Sequence, residues 1–221
     1  MDKYKIILFD LDGTLSDPKV GITKSVQYAL EKMEIIEPDL DKLECFIGPP
    51  LQESFAEYYN FDQPKIQKAI EFYRERFTEK GMFENELYSN ISSLLKSLKD
   101  HQYILVVATS KPTVFSEKIL NYFKIDQYFD FIVGSNLDGT RSSKTEIIQY
   151  IIDQYDEFDL DNFIMIGDRK HDIIGANNTG IDSIGVTYGY GSVEELNKAN
   201  STNIVKNVDE LKELLLGKLV K

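Results

Sequence analysis

Residues 9–15 read Phe9-Asp10-Leu11-Asp12-Gly13-Thr14-Leu15, at the carboxyl end of a short apolar run, 5–9. A run of this length, bounded by Asp and Gly, is typical of a buried strand. Side chains at i and i+2 of an extended chain face the same way, so Asp10 and Asp12 are expected to project together. Neighbouring carboxylates repel each other unless a cation lies between them or one is protonated. The pair predicts a site at the end of this strand, with a simple loop or cap as the alternative.

Four more apolar runs predict four more strands, at about 103–108, 129–133, 163–166 and 183–186. Amphipathic segments follow them and predict helices at about 113–123, 144–155, 172–179, 193–199 and 208–216. Alternating strands and helices are typical of an α/β fold. We therefore expect a doubly wound parallel sheet with helices on both faces.

The first and second predicted strands are separated by a stretch that reads as helix almost throughout. Asp17-Pro18 predicts a helix start, because Pro is favoured at the first helical position. A crossover between parallel strands needs only about a dozen residues. We therefore expect an inserted helical cap domain over 17–84, with an α/β catalytic core formed by 1–16 and 85–221.

The composition narrows the class of protein. The 221 residues carry 25 Lys+Arg and 37 Asp+Glu, a formal net charge of −12. That balance argues against a nucleic-acid or anionic-membrane partner, because both require clustered positive charge. No apolar run approaches the roughly 20 residues of a membrane span, and the start has no signal-peptide pattern. We expect a cytoplasmic monomer or homodimer without an internal disulfide, since Cys45 is the single cysteine.

Two segments near other strand ends are suited to bind an anion. Thr109-Ser110-Lys111-Pro112 offers hydroxyl groups and backbone N–H groups at a predicted helix start, although a plain Ser/Thr cap is the alternative. Ser143-Lys144-Thr145-Glu146 has the capping-box pattern, which puts Lys144 in a first turn where the helix dipole disfavours a cation. A bound phosphate would explain this lysine, and a solvated side chain is the alternative.

A third segment, Gly167-Asp168-Arg169-Lys170-His171-Asp172, follows the fourth predicted strand. Asp168 and Asp172 would lie one helical turn apart, where like charges cost a few tenths of a kcal/mol. A divalent metal would compensate that repulsion, whereas an N-cap Asp168 with an exposed Asp172 is the alternative. Carboxylates without Cys or His ligands favour a hard cation, above all Mg²⁺. Together, the strand-end carboxylates, the anion-binding segments and Lys144 indicate phosphoryl transfer.

The set Asp10-x-Asp12-Gly13-Thr14, Thr109, Lys144 and Gly167-Asp168-x-x-x-Asp172 resembles the four motifs of the haloacid dehalogenase-like hydrolases. The helical insert after the first motif resembles the phosphatases with a small helical cap. Leu137–Lys144 and Phe46–Leu51 further resemble a 5′-nucleotidase-like or phosphoglycolate-phosphatase-like branch. Phosphoglycolate phosphatases often have Lys-Pro-x-Pro in the third motif, whereas Lys144 precedes Thr145-Glu146-Ile147.

The resemblance implies a Mg²⁺-dependent hydrolase of a small phosphorylated metabolite, acting through an aspartyl-phosphate. Asp10 would be the nucleophile and Asp12 the general acid and base. The remaining implied residues bind phosphate (Thr109, Ser110 and Lys144) or metal (Asp10, Asp12, Asp168 and Asp172). A sugar phosphomutase of the same superfamily is the alternative within the fold. A phospho-accepting regulatory module is the alternative from another class, although such modules are about half this length and lack the insert.

Overall fold

The computed structural model describes residues 3–217. Internal contacts divide the chain into two compact units, Met1–Ser16 with Leu87–Lys221 and Asp17–Glu86. The chain leaves the first unit at strand β2 (Ser16–Asp17) and returns at strand β3 (Glu86–Leu87), and these two short strands pair with each other.

The first unit is built on one parallel sheet. Its strands are β1 (Ile6–Phe9), β4 (Ile104–Pro112), β5 (Phe131–Ser135), β6 (Phe163–Gly167), β7 (Asp182–Val186) and β8 (Asn203–Val205). They lie in the order β5-β4-β1-β6-β7-β8, and all the neighbouring pairs are parallel. The strand order reverses direction on the two sides of β1, so the doubly wound α/β fold predicted from the sequence is confirmed.

Among residues 3–217, six α-helices complete the first unit. They are α4 (Ile91–Asp100), α5 (Thr113–Tyr122), α6 (Lys144–Ile152), α7 (Lys170–Thr179), α8 (Val193–Lys198) and α9 (Val208–Leu215). Apolar residues of α6 and α7, such as Ile147 and Ala176, pack on Leu8 and Met165 of the sheet and are inaccessible to solvent. Full burial of one side chain as large as Ile, Leu or Met stabilises a fold by about 1.5–3 kcal/mol. This packing holds the amino-terminal ends of both helices at the carboxyl edge of the sheet.

The second unit is helical. It contains α1 (Lys19–Lys32), α2 (Leu51–Tyr59), α3 (Gln63–Glu79) and 3-10 turns at Leu40–Phe46 and Gly81–Phe83. Asp62 caps α3 by accepting a hydrogen bond from the backbone N–H of Lys65 at 3.1 Å. An aromatic cluster centred on Phe46 and Phe55, whose rings are 4.9 Å apart, supports α2.

Two local expectations require correction, and one strand was missed. Asp17 is not the N-cap of helix α1, which begins at Lys19 rather than at Pro18: Pro18 occupies the N-cap position, and Asp17 accepts from the Lys19 N–H at 3.0 Å. Strand β4 continues to Pro112, with an irregular register after Ala108. Strand β8 was not predicted, since three residues are too few to show a periodicity.

The helices of residues 3–217 include none that is both long enough and apolar enough to cross a membrane.

Candidate active site

Asp10 and Asp12 follow β1 and are both buried. The backbone N–H of Asp10 donates to the carbonyl of Ile166 at 2.9 Å, which ties the end of β1 to β6. One carboxylate oxygen of Asp10, Oδ1, accepts from the Leu11 N–H at 2.7 Å. The turn then closes through hydrogen bonds from the N–H groups of Leu15 and Ser16 to the Leu11 carbonyl. The strand end therefore presents Asp10 from a rigid backbone rather than from a mobile loop.

Asp168 directly follows β6, and Asp172 lies in α7. Asp168 Oδ2 accepts from the Tyr190 N–H at 2.8 Å. Asp172 is the third residue of α7, and its Oδ2 accepts from the Arg169 N–H at 3.0 Å, which closes the helix start. The alternative of an exposed Asp172 is wrong, because its side chain is fully buried.

These chain segments bring together Asp10, Asp168 and Asp172. One carboxylate oxygen from each lies within 4.8 Å of the other two. The pKa of Asp10 is raised to about 6, because burial and the charge of Asp172 together outweigh the opposing effect of Lys144. Burial, then the charges of Asp172 and Asp10, also raise the pKa of Asp168 well above its usual range. Three buried oxygen donors with excess negative charge fit a hard divalent cation, so this cluster can hold a metal.

Lys144, the first residue of α6, is also buried. Its Nζ lies 2.7 Å from Asp10 Oδ1 and 2.6 Å from Asp172 Oδ1, and it donates to the carbonyl of Ala108 at 2.8 Å. Burial alone would lower the pKa of Lys144, but the two carboxylates outweigh it and raise the pKa. The alternative of a solvated lysine is therefore wrong. At the start of α6, the positive charge of Lys144 is balanced by the carboxylates of Asp10 and Asp172. A bound phosphate would be a further anion for this lysine to contact.

Thr109 and Ser110 lie within β4, which continues to Pro112, rather than next to a helix that begins at Pro112. Thr109 is buried, and its Oγ1 accepts from the Lys111 N–H at 3.3 Å. Ser110 is half-buried. Their predicted phosphate contacts would come from the strand end, because α5 begins only at Thr113.

Sequence reasoning did not find two features of this site. The first is Lys111, whose Nζ lies 2.8 Å from Asp12 Oδ2. Burial raises the pKa of Asp12, and Lys111 opposes part of that shift. Lys111 lies in the segment Thr109-Ser110-Lys111-Pro112, which the sequence predicts to bind an anion, but nothing in its local pattern pairs it with Asp12.

The second feature is the segment Gly189-Tyr190-Gly191, which packs against Asp168. A Cβ on Gly189 would lie 2.2 Å from the Gly13 carbonyl oxygen and 2.5 Å from Asp168 Oδ2. Gly13 has a φ of +81°, and a Cβ there would lie 2.3 Å from the same oxygen of Asp168. Both glycines are required because backbone approaches the carboxylate closely.

A family model described as haloacid dehalogenase-like hydrolase matches residues 7–186. The match covers well over half of the chain and includes both units. The chain therefore belongs to the haloacid dehalogenase-like hydrolase family. The family resemblance inferred from the sequence is confirmed. The prediction that the protein is an enzyme of this hydrolase class is confirmed as well.

Relatives in this family carry several names. A 5′-nucleotidase of Pseudomonas aeruginosa is 46% identical over 96% of both chains. The tyrosine-protein kinase PtkA of Mycobacterium tuberculosis is 34% identical over 96% of this chain and 72% of its own. A phosphoglycolate phosphatase of Colwellia psychrerythraea is 27% identical over 90% of this chain and 91% of its own.

A solved structure gives the same result for the fold. The crystal structure of a predicted phosphatase from Clostridium acetobutylicum shares 54% identity with this chain. The match covers 97% of this chain and 99% of that chain, with a TM-score of 0.94.

Proposed function

We propose that the protein is a Mg²⁺-dependent phosphate-monoester hydrolase that acts through an aspartyl-phosphate on Asp10. The observation that carries the proposal is the buried cluster of Asp10, Asp168 and Asp172 with Lys144 at its edge. Membership of a hydrolase family with phosphatase-named relatives supports it independently.

The metal would be held by Asp10, the main-chain carbonyl of Asp12 and Asp168, with Asp172 bound directly or through water. The donor set favours Mg²⁺ because every ligand is an oxygen atom. When bound, Mg²⁺ supplies positive charge that offsets the negative charge of the phosphoryl oxygens and carboxylates. Thr109, Ser110 and Lys144 are proposed to hold phosphoryl oxygens.

The chemistry divides between two carboxyl groups. The Asp10 carboxylate attacks phosphorus, the bond from phosphorus to the leaving oxygen breaks, and Asp12 donates a proton to that oxygen. Asp12 then takes a proton from the water that attacks the aspartyl-phosphate, which releases phosphate and restores Asp10. The raised pKa of Asp12 suits a group that must carry a proton before the first step.

A nucleoside monophosphate is the proposed substrate class. The 46% identity to a 5′-nucleotidase over nearly the whole chain supports this choice over phosphoglycolate, whose named phosphatase is 27% identical. We assign substrate selection to the helical unit Asp17–Glu86, as the cap domain that the sequence predicts. This assignment rests on the family resemblance.

The test is phosphate release from nucleoside monophosphates, phosphoglycolate and sugar phosphates, with Mg²⁺ and with a chelator. We expect release from nucleotides that is lost with the chelator and abolished in Asp10→Asn, while circular dichroism shows an intact fold. Unchanged kcat in Asp10→Asn would contradict the nucleophile assignment. A preference for phosphoglycolate would overturn the substrate class but not the chemistry.

A second candidate is transfer of the phosphoryl group to an acceptor other than water. The 34% identity to a tyrosine-protein kinase over 96% of this chain supports testing transfer to a protein acceptor. Incubation with ATP and a tyrosine-containing protein would label that protein if transfer occurs. For the mutase alternative, the protein is incubated with a sugar monophosphate and a sugar bisphosphate primer. Formation of the isomeric sugar monophosphate is then measured.

A further inference from the structure

The two carboxylate oxygens of Asp12 have different surroundings. Oδ2 lies 2.8 Å from the Nζ of Lys111, and the two side chains are 8% and 6% exposed respectively. Oδ1 is buried and has no hydrogen-bond partner among the residues that the structure describes. A buried acceptor without a partner costs about 1–3 kcal/mol, so an oxygen in this state points to a ligand or a proton-transfer role.

The parallel register explains why Lys111 reaches Asp12. Strands β1 and β4 are neighbours, with Phe9 opposite Val107. Asp12 and Lys111 follow this pair by a few residues on the two adjoining strand ends. The Lys111 backbone is held by its hydrogen bond to Thr109 Oγ1. The lysine therefore approaches Asp12 from a fixed strand.

We propose that Lys111 is a positioning residue for Asp12: it binds Oδ2, so that Oδ1 is the oxygen that exchanges the proton. This inference rests on the proposed function, because it assigns a role relative to the general acid and base. Stability alone does not explain the pair, since the cost of desolvating two buried charges is comparable to their attraction.

The contact serves both protonation states of Asp12. In the acid, Oδ2 is the carbonyl oxygen and accepts from Lys111, while the hydroxyl on Oδ1 faces the leaving oxygen. As the phosphorus–oxygen bond breaks, its electron pair stays on the leaving oxygen, which takes the Oδ1 proton and departs as the alcohol. Asp12 is then a carboxylate, still bound through Oδ2, and Oδ1 accepts the proton of the attacking water. The side-chain orientation is thus kept through the cycle.

The test uses two substrates that differ in their need for an acid. A nucleoside monophosphate releases a strongly basic alkoxide oxygen, whereas 4-nitrophenyl phosphate releases a weakly basic phenolate that leaves without a proton. We expect Lys111→Met to lower kcat for the nucleotide by about 100-fold or more, the usual contribution of a general acid, with KM nearly unchanged. The first-turnover burst of 4-nitrophenolate should stay within a few-fold of the parent. Lys111→Arg should recover much of the kcat.

Two controls separate this role from a structural one. Lys99→Met removes another ion pair of the same unit, with Asp130 at 2.7 Å, and should leave both activities unchanged. In an Asp12→Asn background, Lys111→Met should have little further effect on kcat, as for residues acting as one unit. If Lys111→Met does not fold, Lys111→Gln takes its place, because Gln keeps a hydrogen-bond donor.

Unchanged kcat for the nucleotide in a folded Lys111 variant would overturn the inference while leaving the proposed function intact. An equal loss of burst and of nucleotide kcat would also overturn it, because it would indicate general damage to the site. A parent protein that releases phosphate from neither substrate would instead overturn the proposed function, and this inference with it.

Discussion

At the scale of single residues, Lys144 shows how one side chain can balance a cluster of charges. It lies between Asp10 and Asp172 and is anchored by the Ala108 carbonyl. Removing one partner of a buried ion pair costs about 3–5 kcal/mol, because the other charge stays buried. We therefore expect a substitution at this residue to affect stability and, through its proposed phosphate contact, anion binding.

We expect Lys144→Ala to lower the free energy of unfolding and to weaken inhibition by inorganic phosphate at least tenfold. A charge-assisted hydrogen bond contributes about 1.5–3 kcal/mol, which accounts for the loss. Lys144→Arg should not restore binding, since the buried Nζ lies 2.6–2.8 Å from three oxygen atoms and the larger, planar guanidinium cannot take the place of this point charge. Phosphate inhibition constants measure this, with the exposed Lys118→Ala as control. Equal inhibition of parent and Lys144→Ala would contradict the role.

Two glycines form a matched pair for a second prediction. Gly13 and Gly180 have φ values of +81° and +77°, so a side chain at either position is strained. A Cβ added at Gly180 would meet Leu160 Cδ1 first, at 3.5 Å, whereas a Cβ added at Gly13 would meet Asp168 Oδ2 at 2.3 Å. The difference between the two sites is therefore steric and electrostatic rather than conformational.

We expect Gly180→Ala to cost about 1 kcal/mol of unfolding free energy, the conformational penalty alone, with kcat unchanged. Gly13→Ala should cost several-fold more in stability and should also reduce kcat by at least tenfold, because Asp168 must move. Denaturant unfolding and steady-state kinetics measure the two effects. Similar costs at both positions would show that Asp168 does not constrain the turn.

At the scale of elements, α8 holds the first turn of α7, which presents Asp172. Glu195 of α8 accepts hydrogen bonds from Arg169 Nε at 2.9 Å and from the Lys170 N–H at 2.8 Å. Burial raises the pKa of Glu195, but the Lys170 N–H and Arg169 outweigh it, so the net shift is downward. The ionised carboxylate is thus the form that the folded protein prefers.

The lowered pKa of Glu195 determines how the stability of the fold changes with pH. Because the pKa is lower in the folded state, Glu195 stabilises the fold above its unfolded value of about 4.3, and this stabilisation is lost as the pH falls through the folded pKa. We expect Glu195→Gln to lower the melting temperature at pH 7 and to make it less sensitive to acid below about pH 4.5. Glu194→Gln, on the exposed side of the same helix, is the control. If the melting temperatures of the parent and Glu195→Gln fell equally as the pH is lowered, the proposed effect of this contact would be wrong.

At the scale of the whole molecule, the sheet brings three chain segments, which supply four charged side chains, together at one edge. Asp10 comes from the end of β1, Asp168 from the end of β6, and Lys144 from the start of α6. Asp172, from the first turn of α7, completes the arrangement. Such an edge is where open α/β sheets place their ligands. Its excess of carboxylates suits the divalent cation of the proposed function.

We expect Mg²⁺ to stabilise the folded protein, because the unfolded chain has no such cluster. A ligand at a hundred times its Kd adds about 2.7 kcal/mol of stability. The melting temperature should rise with Mg²⁺ by several degrees in the parent and hardly at all in Asp168→Asn. Matched ionic strength with KCl controls for screening. A rise of the same size in both proteins would show that Mg²⁺ acts elsewhere.

Particular residues show how far sequence patterns reach. The strand ending at Phe9 and the capping box of Ser143 and Glu146 are local, and both were predictable from neighbours a few residues away. The burial of Lys144 and the pairing of Lys111 with Asp12 were not, because they depend on which strands are adjacent. Strand β8 was missed because its three residues are too few to show a periodicity, and its pairing with β7 is visible only in the folded chain.

The amino-acid sequence by itself determined the class of fold, the family and the chemical types at the strand ends. Those properties follow from periodicity, from turn residues and from the order of motifs, all of which are written along the chain. Only the tertiary structure decided the distances, as between Thr14 and Asp168, which are 154 residues apart and in contact at 3.4 Å. Such distances depend on the order of the strands and on how the helices pack against them. Both result from many small packing contacts throughout the core. The charge balance of the candidate site is therefore a property of the folded molecule.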